Sequence, residues 1–205
     1  MFRKLFFPIG KCHPKYTNYI KWSFTSNVLL STEYALATHS MLHAINTDSE
    51  TMRTLNYVGK DIIGQMGGLM YMSKMGDKAD KEPVKFLQYS NGIEQVGLLA
   101  TCSTPLLSSY FLPIAGISNI FSNLSFIGYG AINAKCIQTM AIDNNIGELY
   151  SKITMINMLG SSVGLILGVS ITILIPDHTT RLGLVPFLGI ARVYTFNMAV
   201  KDFIQ

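Results

Sequence analysis

The residues most suited to chemistry lie in the string NYVGKDIIGQMGG, at positions 56–68. On a helix of about 3.6 residues per turn, Asp61 shares a face with Gly64, Gln65 and Gly68. The neighbouring Lys60 points about 100° away from that face. A polar face with a glycine notch can receive a ligand or another helix. The alternative interpretation is that this face only packs against another helix and leaves Lys60 and Asp61 exposed at its edge. The candidate ligand or partner seam consists of Lys60, Asp61, Gly64, Gln65, Gly67 and Gly68.

Metal binding and catalysis have little support in the residue types. His39 and His43 are one helical turn apart, a spacing that can hold a metal ion, but neither a glutamate in the HExxH position nor a third ligand accompanies them. We favour a packed or surface histidine pair and predict no metal site. The sequence has no nucleophile elbow, kinase signature or pair of catalytic carboxylates, and its glycines match no phosphate loop or dinucleotide turn. We predict no catalytic residues, no cofactor and no enzyme activity.

A second set of candidate positions serves helix packing. Gly160, Gly164 and Gly168 recur at every fourth residue, and small residues at this spacing let a second helix approach closely. That helix belongs either to this chain or to a second copy, and glycine is also simply common in membrane helices. Asn157 lies on the same segment and completes the predicted packing set.

The segment that contains these glycines has no charged residue. Between Lys152 and Asp177 there is no Asp, Glu, Lys or Arg. At about 1.5 Å per residue, the apolar segment 153–175 reaches roughly 34 Å, which exceeds a hydrocarbon core of about 30 Å. The alternative is the buried central helix of a soluble protein. We predict a membrane-spanning helix.

A longer uncharged region separates Glu94 from Lys135, and Pro105 and Pro113 interrupt it. Because proline breaks or kinks a helix interior, we predict one helix over 96–112 and another over 114–134, with Pro113 near the turn. Several serines and asparagines make this region more polar than 153–175. Two full membrane spans and a re-entrant pair both remain open.

The other segments also indicate helices. Apolar residues at helical spacing predict a helix over 16–42 and another over 55–72, joined by a polar loop at 46–52 in which Asp48 or Ser49 caps the next helix. The string MGDKADKEP, at 75–83, predicts a charged loop in water, and a last segment, 182–203, is interrupted at Pro186. The fold class is all-α, a multi-pass helical membrane protein. We predict a single domain over 1–205, with an amphipathic part at 1–94 and an apolar membrane part at 95–205.

Composition and charge agree with a membrane protein. Hydrophobic residues make up 49% of the chain and charged residues 14%, against a usual charged share of about 25%. The first 21 residues carry Arg3, Lys4, Lys11, Lys15 and Lys21 and no acid. Such a tail lies on anionic lipid, on the cytoplasmic side of a membrane, or simply in solvent. Three scattered cysteines predict a reducing compartment, and the apolar run at the start is too short for a signal peptide. The predicted partners are the lipid bilayer and a homo- or hetero-oligomer, and not nucleic acid.

Six motifs in order resemble the root UVB sensitive family. FFPIG, followed by Pro14, Tyr16, Tyr19 and Trp22, is similar to the family's opening, and LLSTEYAL resembles its LSTQALL segment. NYVGKDIIGQMGG resembles NWVLKDGLGQLGG, and FNMAVKDF resembles the closing NYRAVRSV. Asn119 and Asn157 fall on asparagines of two further motifs. The family carries aspartates around Asn91 and Gln95, a Thr-Arg pair at Ile132 and Asn133, and an acidic, serine-rich stretch that survives here only at 150–152. We expect a divergent, short member that stops where its relatives continue into a carboxy-terminal region.

The resemblance implies a membrane-associated helical fold and a link to vitamin B6 balance, but no reaction. Two hypotheses follow for function. The first is a non-catalytic scaffold, adaptor or carrier component, and the second is a protein that binds or transports a small molecule of the vitamin B6 type. A soluble helical enzyme is the least favoured alternative.

Overall fold

The computed structural model describes residues 6–45 and 49–204, without the side chains of 72–77 and 79–80. Helices form nearly all of this part, and Cys12 and Ala141 form an isolated β-bridge. A 3₁₀ helix, Thr104–Tyr110, precedes the fourth α-helix. The α-helices are α1 (Tyr16–Ala44), α2 (Glu50–Lys81), α3 (Pro83–Cys102), α4 (Phe111–Met140), α5 (Ile146–Leu174) and α6 (His178–Val200).

Two helices begin at polar caps that the sequence contains. The Ser49 side chain accepts a hydrogen bond from the Met52 amide at 3.3 Å, which satisfies one of the free N–H groups at the start of α2. Asp177 does the same for α6 through the Thr180 amide at 2.7 Å. The predicted cap at Ser49 is therefore confirmed. Asp48 and most of the predicted 46–52 loop lie outside the described residues.

Three predicted boundaries are wrong. The charged loop at 75–83 is helical up to Lys81, because its Ala, Lys and Asp residues permit helix and the first proline, Pro83, starts α3 at a position where the missing N–H costs nothing. The break after α3 lies at 103–110 and not at Pro113, which sits in the first turn of α4. Pro186 lies inside α6 without ending it, as membrane helices tolerate when neighbouring helices support them.

Contacts between helices give their relative directions. Gly160, Gly164 and Gly168 of α5 meet residues 24, 28 and 32 of α1 in the same order, so α1 and α5 run parallel. Lys15 pairs with Asp202 at 2.7 Å at one end of the α1–α6 contact, so α6 runs the opposite way. In the same way, α2 is parallel to α4, and α3 is antiparallel to α4. Successive helices therefore alternate in direction.

This alternation gives the bundle two ends. The basic end is where α1, α3 and α5 begin and α2, α4 and α6 finish, and the opposite end is called here the distal end. A large apolar cluster with Tyr16, Met140 and Ile153 fills the basic end. A smaller one with Leu36, Leu98 and Val185 lies towards the distal end. The predicted boundary at residue 94 falls inside α3 and marks no break in the structure.

Three helical stretches are long and apolar enough to cross a membrane: Thr104–Met140, Ile146–Leu174 and His178–Val200. Only 22% of the most apolar window of α5 is buried by the rest of the chain, so its aliphatic residues face outwards. A buried central helix of a soluble protein would be enclosed, and this one is not. The predicted span at 153–175 lies within α5, and the all-α, multi-pass fold class is confirmed. The sequence did not predict α6 as a span.

Candidate functional site

Three ionisable side chains meet near the middle of the bundle, close to the midpoints of three different helices. Glu33 of α1, Glu94 of α3 and Arg192 of α6 are 0%, 2% and 1% exposed. Burying a charge among helices is costly unless it is paired and hydrogen-bonded, so each partner of these groups matters.

Arg192 is held from several sides. Its Nη2 lies 2.5 Å from Oε2 of Glu94, and its Nη1 donates to Oδ1 of Asn91 at 3.0 Å. The guanidinium also lies 4.2 Å from the centre of the Tyr129 ring, a cation–π distance. The Tyr129 hydroxyl donates to the same Asn91 oxygen at 2.5 Å. Arg192 and Glu94 therefore form a buried ion pair, although Oε2 of Glu94 and Nε of Arg192 have no hydrogen-bond partner among the described residues.

Glu33 has a hydrogen bond but, among the described residues, no ion-pair partner of its own. Its Oε2 accepts a hydrogen bond from Nε2 of Gln95 at 3.3 Å. Its Oε1 is buried and has no hydrogen-bond partner among the described residues. Next to it, the Tyr34 hydroxyl donates to Oε1 of Glu94 at 3.3 Å. The cluster thus contains two carboxyl groups and one guanidinium.

A cavity of about 510 Å³ reaches from this cluster towards the basic end of the bundle. Glu94, Arg192 and Tyr34 line its inner part, and the exposed Tyr150 and Ile146 of α5 lie near its outer part. Asn157 lines it as well and accepts hydrogen bonds from Ser23 and Asn27 of α1, at 2.9 and 3.1 Å. The volume lies within the usual range for small-molecule sites, about 300–1,000 Å³.

A second cavity, of about 210 Å³, lies on the other side of Tyr34, between α1, α2, α3 and α4. Lys60 projects into it with only 8% of its side chain exposed. Tyr57 separates this cavity from a third, of about 340 Å³, which Leu42 and Arg53 line at the distal end. The three cavities therefore follow one another through the bundle, and Tyr34 and Tyr57 stand at the two junctions.

The residues of the predicted seam on α2 do not share one environment. Lys60 points into the second cavity, the glycines pack on α4, and Gln65 is exposed. Lys60 and Asp61 form an ion pair at 2.6 Å, and Nζ of Lys60 lies 4.1 Å from the Tyr57 ring centre. The expected exposed Lys60–Asp61 edge is thus wrong for Lys60, because its side chain turns back into the second cavity.

The glycine notch of α2 receives a helix from the same chain. A Cβ at Gly64 would lie 2.6 Å from the Asn119 amide, one at Gly67 would lie 2.6 Å from Ile120, and one at Gly68 would lie 3.4 Å from Asn123, all on α4. Asn119 also donates to Oδ1 of Asp61 at 2.8 Å. These residues bring α2 and α4 close together and fix the position of Lys60.

The packing glycines of α5 likewise face a helix of this chain. A Cβ at Gly160 would lie 2.9 Å from the Phe24 carbonyl oxygen of α1, and one at Gly164 would overlap the Val28 carbonyl. A Cβ at Gly168 would lie 3.0 Å from the Thr32 carbonyl. The close approach permits the Thr32 hydroxyl to donate to the Gly164 carbonyl at 3.1 Å. Of the two predicted locations for the partner helix, the structure has the one inside the chain.

The histidine pair contacts a cation and another ring. Nδ1 of His39 lies 2.8 Å from Nη1 of Arg181, and His43 stacks on His178 with ring centres 6.3 Å apart. Nε2 of His178 in turn lies 3.0 Å from the Cys102 carbonyl oxygen. These contacts join α1 and α6 at the distal end, and they give the two histidines a packing role.

The central cluster is not predicted from the sequence. Glu94 and Arg192 match no motif, LLSTEYAL does not single out its Glu33, and only the folded bundle brings the three together. One signal was present, because none of the three has another charged residue within eight positions along its helix. Such charges in the helices of membrane proteins usually face the protein interior and serve function.

Comparisons with known proteins agree with the motifs. A family model described as a vitamin B6 photo-protection and homoeostasis domain matches residues 1–203. Protein root UVB sensitive 4 of Arabidopsis thaliana is 25% identical over 200 residues, covering 95% of this chain and 38% of that protein. Protein root UVB sensitive 5 of the same plant is 27% identical, covering 79% and 34%, and the chloroplastic protein root UVB sensitive 2 is 23% identical, covering 80% and 40%.

The chain thus spans less than half the length of these relatives. No solved structure matches it significantly. Because the family model covers nearly every residue and the motifs occur in the family's order, this chain belongs to the root UVB sensitive family, whose domain is associated with vitamin B6 homoeostasis.

Proposed function

We propose that this protein is a non-catalytic membrane carrier component that binds a small polar molecule between its helices. The observation that supports it most is the row of three cavities, with the Tyr34 side chain between the first and the second and the Glu94–Arg192 pair in the wall of the first. Polar groups inside a membrane bundle often mark the route of a substrate. A carrier needs such a site, reachable in turn from the two sides.

The chemical class of the ligand follows from the family and from the charges along the route. The family description names vitamin B6, whose vitamers are small pyridines, one group of them phosphorylated. Aromatic rings at Tyr34 and Tyr129 offer stacking surfaces in the first cavity, and the Lys60 ammonium offers a partner for an anionic group in the second. We propose a vitamer of this class as cargo, with no bond made or broken.

Binding can be tested with the purified chain in lipid nanodiscs. Titration with pyridoxal, pyridoxine and pyridoxal 5′-phosphate is expected to give saturable heat for at least one of them. Asn157→Leu places an apolar group in the first cavity and is expected to weaken binding about tenfold, which corresponds to about one lost hydrogen bond. Ser162→Leu makes the same kind of change on the exposed face of α5 and serves as the control. Equal affinities in the two variants would exclude the first cavity as the site.

Transport is a separate test from binding. The phosphorylated vitamer crosses lipid poorly because its charge is costly to bury, so its uptake into proteoliposomes requires a carrier. Uptake above that of protein-free vesicles supports the carrier proposal. Saturable binding without uptake would reduce the proposal to a binding protein.

A scaffold or adaptor role is the second candidate, and one surface favours it. Along α2 an exposed apolar row follows helical spacing and consists of Met52, Leu55, Val58, Ile62, Met66 and Leu69. In a membrane this row meets lipid, a second copy or another protein. Single-molecule bleaching in nanodiscs measures the oligomeric state. A dimer that Met66→Lys disperses would support the adaptor role.

A further inference from the structure

The charges of the central cluster do not balance if every group is ionised. Glu33 and Glu94 would contribute two negative charges and Arg192 one positive charge, all on side chains at most 2% exposed. Arg192 is committed to Glu94 by its contact at 2.5 Å. One negative charge is left, and it belongs to Glu33.

Among the described residues, the cation that faces Glu33 is Arg192, which is already paired with Glu94. The titratable and charged groups nearest to it are Arg192 from α6, Glu94 and Cys102 from α3, the adjacent Tyr34 and, across the cluster, Tyr129 from α4. From α5, the residues facing this part of α1 include Gly164 and Gly168. Gln95 donates to Oε2, and Oε1 has no partner among the described residues.

An uncompensated carboxylate at this depth is costly, since burial in a low-dielectric interior strongly disfavours the charged form. Addition of one proton to Oε1 removes the charge and leaves Oε2 able to accept from Gln95. The first cavity, which reaches Glu94 and Arg192, lets water approach the cluster from the basic end. Glu33 does not line this cavity itself, but the neighbouring Tyr34 and Glu94 do. When Glu33 takes up a proton, one O–H bond forms at Oε1 while one O–H bond of a hydronium ion breaks, and proton release reverses both changes.

We propose that Glu33 is a proton-binding site of this protein, occupied when the cavities are empty, and that the carrier couples ligand movement to this proton. The coupling rests on the proposed function, whereas the proton site itself does not. An anionic ligand in the first cavity would draw Arg192 away from Glu94 and change the electrostatic potential at Glu33.

Infrared spectroscopy of the full chain in nanodiscs tests the proton site without any ligand. At neutral pH the wild type is expected to show the C=O band of a buried protonated carboxyl group, shifted in D₂O, and Glu33→Gln is expected to lack it. Glu82→Gln removes a carboxyl group that is 58% exposed and is expected to keep the band. Absence of the band from the wild type, or its persistence in Glu33→Gln, would overturn the proposal. If Glu33→Gln does not fold, alkaline titration of the wild-type band decides: the band is expected to disappear as the site releases its proton, and a band that persists to the alkaline limit of folding would overturn the proposal.

Proteoliposomes test the coupling. A gradient of one pH unit is expected to change the accumulation ratio of the phosphorylated vitamer by up to about tenfold when one proton moves per cycle. Glu33→Gln is expected to lose this response and still bind the vitamer. Uptake by the wild type that ignores the gradient would refute the coupling, and no binding at all would refute the carrier function while leaving the infrared result valid.

Discussion

At the scale of the residue, the most informative departure from the family pattern lies at the central cluster. The resemblance to the family segment LSTQALL implies a glutamine where this chain has Glu33, and it implies aspartates around Asn91 and Gln95. In this chain the acid, Glu33, lies on α1, and the amide that donates to it, Gln95, lies on α3. The family pattern has the amide at the first of these positions and acids near the second. A hydrogen bond between an acid and an amide can be kept with the two partners exchanged.

The Arg192–Glu94 pair gives a prediction about stability. Glu94→Gln leaves the Arg192 guanidinium buried without its carboxylate, and removal of one partner of a buried pair typically costs about 3–5 kcal/mol. Glu82→Gln breaks the Lys85 pair, whose side chains are 58% and 65% exposed, and is expected to cost less than about 1 kcal/mol. Reversible unfolding in mixed micelles measures both. Similar midpoints would mean that Arg192 finds another partner.

At the scale of the element, two glycines in similar helices have opposite roles. A Cβ at Gly164 would meet the Val28 backbone of α1, whereas a Cβ at Gly183 of α6 meets nothing within 4 Å. Gly164→Ala is expected to destabilise the bundle by about 1–3 kcal/mol through overpacking. Gly183→Ala is expected to stabilise it by about 0.5–1 kcal/mol, because alanine loses less backbone entropy in a helix. Thermal unfolding of both variants checks the signs, and a stabilising Gly164→Ala would contradict the α1–α5 contact.

The start of α6 gives a prediction about pH. Hydrogen bonds from the Thr180 hydroxyl and amide lower the pKa of Asp177, which lies between α5 and α6. A carboxyl group with a lowered pKa adds stability above its ordinary pKa and loses it as the pH falls through the lowered value. We therefore expect the amide hydrogens in the first turn of α6 to lose protection, relative to their intrinsic exchange rate, as the pH falls. Hydrogen exchange at Thr180 measures this protection, and Asp177→Ala is expected to be poorly protected at all pH values. Wild-type exchange that merely follows the intrinsic chemical rate would contradict the cap.

At the scale of the whole molecule, the alternating helices divide the charged residues between two sides. Lysines at the basic end include Lys11, Lys15, Lys81, Lys85, Lys152 and Lys201, whereas the described cations of the distal end include Arg53 and Arg181. Since an excess of Lys and Arg marks the side that is not translocated, the basic end is expected to face the cytoplasm or the equivalent compartment. Because α1, α2 and α3 pack along the apolar helices, we expect them to lie at the same depth in the membrane.

Thiol labelling tests this orientation. In a Cys12→Ser background, where the other two native cysteines are buried, Lys85→Cys and Lys152→Cys are expected to react with an impermeant maleimide from the same side of sealed vesicles. Asp177→Cys is expected to react only from the other side. Labelling of all three from one side would contradict the six-helix alternation and, with it, the route of cavities from end to end.

The sequence by itself determined the fold class and the family. An uncharged stretch as long as the bilayer is thick can be read locally, and the glycine spacing on α5 follows from helix geometry alone. The helix boundaries predicted at 75–83, 103–113 and Pro186 are wrong. Charged residues and proline end a helix only where contacts with neighbouring helices do not stabilise its continuation. The tertiary structure alone decided that Glu33, Glu94 and Arg192 meet, that Lys60 turns inwards, and that the glycines contact helices of the same chain. These contacts join residues up to 136 positions apart (Phe24 to Gly160), and no periodicity within one helix encodes which other helix will face it.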